Sequence, residues 1–196
     1  MDYLPNILFI IILIAGIGYF AKNVKKLIRN IKLGQEADVS DNKSQRWKKM
    51  AMIALGQSKM VRRPIAGLLH VIVYVGFIII NIEVLEIIID GIFGTHRIGL
   101  KVLPESVYGF LIGSFEILAV LVFVSVILFW TRRNIIKLAR FWKSEMTSWP
   151  KNDANYILYF EMVLMTLFLV MNATDSSFQA MNSGNVISQF IEPWFS

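Results

Sequence analysis

One histidine, His70, stands six residues beyond Pro64 within the apolar stretch Ile65 to Ile89. At the helical rise it would lie about 9 Å into a bilayer from the basic flank that precedes it. Tyr74 and Asn81 fall within about 40° of His70 on a helical wheel, and Gly67 leaves room beside it for something bulky. This polar-tinged face is expected to point into a helix bundle. An imidazole so placed either ligates the iron of a b-type haem, whose flat ring fits between helices, or makes an interhelical hydrogen bond.

Glu83, Glu86 and Asp90 follow at i, i+3 and i+7, on one face roughly opposite His70. In the next apolar stretch Glu116 lies about 24 Å from Arg132 by helical rise, level with Asn81 and Glu83. Clustered carboxyls in a low dielectric suit proton movement between a quinone headgroup and the outside. Glu83 and Glu116 are the candidates for that role, while Asp90 and Glu86 are expected to be solvated at a helix end. Glu161, in the fourth apolar stretch, is expected at a depth comparable with His70. There it either hydrogen-bonds a ligand imidazole or pairs with a basic side chain at the rim. His96, in the segment Gly94-Thr95-His96-Arg97, is a weaker metal candidate and is expected in solvent. Met162, Met165 and Met171 read as packing.

These groups need elements to hold them, and the composition says which. Of the 196 residues 56% are hydrophobic and 17% charged, more apolar than a water-soluble chain requires. The fold class expected is all-α, a multi-pass transmembrane helix bundle with spans at about 4–21, 65–89, 107–130 and 154–171. Basic segments at 22–64 and 131–153 connect them, and a tail runs from 172 to 196. Val24, Leu27, Ile28 and Ile31 extend an amphipathic helix that either prolongs the first span or lies on headgroups, with Gly34 placed to end it. After polar, turn-forming residues between Gln35 and Lys43, a second short amphipathic helix runs through Trp47 to Leu55 and stops near Gly56. A basic helix is expected from Arg132 through Lys143, closed by Trp149-Pro150.

Of the 20 Lys and Arg, 12 fall between Lys22 and Arg63 and 6 between Arg132 and Lys151. The +6 net charge therefore reports topology and headgroup contact, not nucleic acid. The positive-inside rule puts both basic segments in the cytoplasm and the N-terminus, the 90–106 loop and the tail outside, in an inner membrane. The residues Met-Asp-Tyr at the start offer no basic n-region, so the first span reads as an anchor rather than a cleaved signal. No Cys is present, which excludes disulfides and Cys-ligated iron–sulfur clusters within the chain. No Walker loop, dinucleotide fingerprint, HExxH or nucleophile constellation occurs.

The run Arg62-Arg63-Pro64 through Leu69-His70-Val71-Ile72-Val73-Tyr74-Val75-Gly76-Phe77 continues into Ile79, Asn81, Glu83, Glu86, Asp90-Gly91 and Gly94-Thr95-His96-Arg97. Together these resemble the N-terminal membrane region of heterodisulfide-reductase-related iron–sulfur oxidoreductases. Asp41-Asn42-Lys43, Ala54-Leu55-Gly56-Gln57, Gly113-Ser114-Phe115-Glu116 and Met146-Thr147 with Trp149-Pro150 carry the same resemblance across nearly the whole chain. That region is similar to the gamma subunit of respiratory nitrate reductase, a five-helix, N-terminus-out bundle that binds b haem and exchanges electrons with quinone. The resemblance implies that His70 holds the cytoplasmic-side haem iron. Where that pattern has a second histidine three turns on, this chain has Ile80. A fifth helix with the opposing ligands, and cysteine-rich portions carrying the clusters, are expected beyond Ser196 or from a partner subunit.

The resulting expectation is a membrane electron-transfer module, part of a membrane-bound iron–sulfur oxidoreductase. It would exchange electrons between quinone and cytoplasmic iron–sulfur clusters through haem b. The competing expectation is a non-redox anchor or assembly subunit whose basic segments hold a partner and anionic lipid; it leaves the intramembrane Glu83, Glu116, Glu161 and His70 without a purpose. A transporter is a third class, which no inverted repeat supports.

Overall fold

The computed structural model describes residues 3–35, 40–146, 149–181 and 183–195. Met1, Asp2, residues 36–39 of the expected turn-forming stretch, and Thr147 lie outside the described residues. Four helices are long and apolar enough to cross a membrane: α1 (Leu4–Lys32), α3 (Pro64–Phe93), α5 (Glu105–Asn134) and α6 (Trp149–Thr174), with the short α2 (Lys43–Met50), α4 (Gly99–Val102) and α7 (Ser176–Gln179) between or after them. The four apolar runs thus become the four long helices, each extended by its flanks.

Two compact units divide the chain, one formed by residues 1–62 and 86–98 and the other by 63–85 and 99–196. In the first, α1 continues without a break through its basic turns to Lys32, so the amphipathic stretch prolongs the apolar run. Leu33 closes it with its N–H on Asn30 and Ile31 carbonyls. Pro5 sits in the first turn, where no intrahelical N–H is needed. Its apolar N-terminal part is anchored on residues 91–94: Asn6 Nδ2 donates to the Gly91 carbonyl at 2.9 Å, and Phe9 lies where a side chain on Gly91 would be. Gly94, with φ +66°, ends α3 in the left-handed conformation that a glycine tolerates. Asp90 is half-buried rather than solvated, because its Oδ1 accepts from Thr95 Oγ1 and from the Ile98 N–H. The expected short helix through Trp47 exists as α2 followed by a π-turn over Ala51–Leu55, stopped at Gly56.

In the second unit α5 is the central element, with 44% of its most apolar stretch buried. Gly76 of α3 lies against the Val122 side chain, too close to admit any Cβ. On another side, α6 runs antiparallel to α5 and is registered by polar pairs: Asn134 with Asn155, Trp130 with Tyr159, and Glu116 with Asn172. Ile80, Tyr108, Ile112, Phe115, Ala119, Val122, Val126, Met165, Phe168 and Phe178 form the core between them. Beyond α7, residues 183–186 lie along Gly109 and Gly113, where added side chains would meet Ser183 and Val186.

Two connections depart from expectation. The basic helix does not run on to Lys143, because Lys137 takes φ +52° and the chain turns through a 3-10 segment at Ala139–Phe141. Trp149-Pro150 opens the fourth long helix instead of closing the preceding one. Proline lacks the N–H that a first turn leaves unused, which makes that position favourable for it.

Candidate functional site

The face of α3 that meets α5 is fixed by Gly76, which admits no side chain against Val122. Ile80 and Glu83 are buried and lie within about 40° of Gly76 on the wheel. His70, Tyr74 and Asn81 lie about 120° to 160° away from it and are all half-buried. The polar stripe is therefore a coherent face, as the spacing predicts, but it is turned away from α5 and not into the α3–α5 contact. Asn81 satisfies part of its amide within its own helix, donating to the Phe77 carbonyl at 2.6 Å. Gly67, one turn before His70, is buried.

The register pairs locate the other ionisable groups. Stepping up α6 from Tyr159 while stepping down α5 from Trp130 sets Glu161 opposite residues 127–128 of α5. Stepping down α3 from Gly76 sets His70 opposite the same residues. His70 and Glu161 therefore share a level on the two helices that pack on α5, and Glu161 is half-buried.

By the same arithmetic Glu83 is level with Phe115 and Glu116 of α5. Glu83 is 3% exposed and Glu116 is 0% exposed. They approach α5 differently: Glu83 belongs to the face of α3 around Gly76, whereas Glu116 lies about 120° round α5 from Val122 and faces Asn172. The Glu116 carboxylate accepts three N–H groups: Asn172 Nδ2 at 3.1 Å on one oxygen, and the backbone N–H of Ile187 at 2.7 Å and Ser188 at 3.1 Å on the other. Gln179 extends the cluster, donating to the Asn172 carbonyl and to Ser188 Oγ, each at 2.8 Å. His96 is exposed and belongs to the first unit. No group of three or more His, Asp or Glu capable of holding a metal ion occurs among the described residues.

Sequence reasoning passed over Asn172, Ser188 and the Ile187 backbone as partners of Glu116. Only Asn172 left a signal, as the polar residue at the end of an apolar run. Arg133 belongs to the basic flank that the charge pattern marks, yet it is 7% exposed and enters the fold as a buried group.

No family model matches the chain. No solved structure matches it. Among curated proteins, it is similar to one from Bacillus subtilis (strain 168) described as "Probable iron-sulfur-binding oxidoreductase FadF", with 28% identity over 134 residues, covering 68% of this chain. The aligned part is 18% of the length of that relative, so the chain corresponds to a small part of it.

Proposed function

We propose that this chain is the membrane electron-transfer module of an iron–sulfur oxidoreductase, exchanging electrons between quinone and clusters held elsewhere. The observation that carries the reading is the likeness to a much longer iron–sulfur-binding oxidoreductase in a chain that has no cysteine of its own. A cysteine-free, lipid-embedded chain has no thiolates to hold a cluster and suits the passage of electrons to one.

His70 is the residue to hold b haem, with Tyr74 and Asn81 on the same face and Glu161 at the same level. The fit rests on their half-buried position. An imidazole enclosed against α5 would leave no space for a flat ring, whereas a face turned from that contact receives one from the side. The opposing ligand then comes from a helix outside these residues, as the expected resemblance to the nitrate reductase gamma subunit implies. Haem, when bound, supplies one-electron chemistry. The protein supplies the imidazole, the polar partners that orient it, and an apolar shell.

Glu83 is the proton-exchanging candidate at the opposite end of α3. Glu116 at the same level has three of its roughly four acceptor positions filled by N–H donors and supports the surrounding backbone. Quinone reduction takes up two protons with two electrons, so a buried carboxyl near the headgroup answers a chemical need.

A reduced-minus-oxidised spectrum of the purified protein is expected to show a b-type band, and His70→Ala to remove it. Absence of the band in the unaltered protein, or its survival at full strength in the variant, overturns the haem assignment. Glu83→Gln is expected to lower quinol-dependent dye reduction while leaving the assembled protein and its spectrum intact. Unchanged turnover would remove Glu83 from the quinone reading.

A further inference from the structure

The basic end of α5 holds a feature that the redox reading does not use. Arg133 is 7% exposed, and its Nε is buried with no hydrogen-bond partner. Among the described residues its guanidinium makes hydrogen bonds only from one terminal nitrogen, to the Pro150 and Lys151 carbonyls, both long at 3.4 Å. No carboxylate pairs with it among the described residues. A buried guanidinium without a counter-ion is costly, because desolvation of the charge is not offset by a partner.

The surroundings add positive charge and aromatic surface. The Phe141 ring takes two guanidiniums, with Arg133 at 5.2 Å and Arg140 at 4.5 Å from its centroid. Trp142 takes Lys151 at 3.5 Å and Lys137 at 5.3 Å, and donates its indole N–H to the Arg133 carbonyl at 3.3 Å. Partial burial first, and then the charges of Arg63 and Arg132, hold the Arg140 guanidinium below its ordinary range. Arg63 and Arg132 thus each act on Arg140 through their charge, and none of the three pairs with a carboxylate among the described residues. Arg140 is exposed and Arg132 half-buried, so an anion has an approach that the buried Arg133 alone would not give.

We propose that Arg133 and Arg140, which share the Phe141 ring, form a phosphate-binding site occupied by the headgroup of an anionic phospholipid. The chemistry is that of a phosphate on planar guanidinium forks, which donate paired N–H bonds in a fixed geometry. A lipid is the source because the site stands at the end of two helices long and apolar enough to span a membrane. It also carries Trp130, Trp142 and Trp149, the residue type that settles at the headgroup level. A phosphate there supplies the missing acceptor to the Arg133 Nε–H and the missing negative charge to the cluster.

The purified chain in neutral detergent can be titrated with short-chain phosphatidylglycerol, short-chain phosphatidylcholine and inorganic phosphate, with bound lipid counted by native mass spectrometry. Phosphatidylglycerol is expected to bind saturably and at least about tenfold more tightly than either of the others. Arg133→Met, which keeps the stem and removes the fork, is expected to weaken it about tenfold, with Arg133→Lys recovering only part. Arg140→Gln, at an exposed position, gives the same direction of effect without touching the core. Equal binding of inorganic phosphate overturns the lipid source. Equal binding of phosphatidylcholine, or full binding by both Arg133→Met and Arg140→Gln, overturns the site.

Discussion

Glu116 shows how much a single carboxylate organises. It is fully buried, and its oxygens gather one side-chain amide and two consecutive backbone N–H groups from the segment after α7. Removing the acceptor strands three donors inside the protein, each a loss that protein mutational data put at the kcal/mol level. Glu116→Ala is expected to lower unfolding free energy by about 2–4 kcal/mol, and Glu116→Gln by about half as much, since one oxygen survives. Thermal unfolding in detergent followed by circular dichroism checks this, and limited proteolysis after α7 should accelerate in parallel. That Glu116 stands level with Glu83 was legible from helical rise. Its partners were not, because Asn172 and residues 187–188 lie 56 to 72 positions away and no spacing rule connects them.

Among the elements, the four long helices were legible because continuous apolar length survives any packing arrangement. Which way each one faces was not. α3 is apolar on nearly every side, so periodicity offers no stripe to mark the interior, and the wheel fixes only relative angles. The contact that decides is Gly76 against Val122, and it puts Glu83 inward and the His70 stripe aside. Gly76→Leu is expected to force α3 from α5 and cost about 1–3 kcal/mol, read as a lowered unfolding midpoint. The same substitution at Gly18 of α1, which has no atom within 4 Å of its added Cβ, should be nearly neutral. The helix break at Lys137 was also invisible, since Arg132 to Lys143 carries no glycine or proline.

At the scale of the whole molecule, charge asymmetry is the strongest clue to orientation. Eighteen of the 20 basic residues lie between Lys22 and Arg63 or between Arg132 and Lys151. The proposed arrangement has those segments in the cytoplasm. The absence of cysteine makes this directly testable by single replacements at exposed positions. Lys101→Cys is expected to react with an impermeant maleimide on intact cells, and Lys143→Cys only after permeabilisation; the reverse pattern would invert the molecule in its membrane.

Gly109 and Gly113 stand four residues apart on α5, the spacing by which transmembrane helices commonly pair with a second copy. Here that notch is already filled by the chain's own residues Ser183, Gly184 and Val186. Self-association through it would first have to evict them, so any larger assembly is left to recruit its neighbours elsewhere, such as along α1, none of whose residues is fully buried.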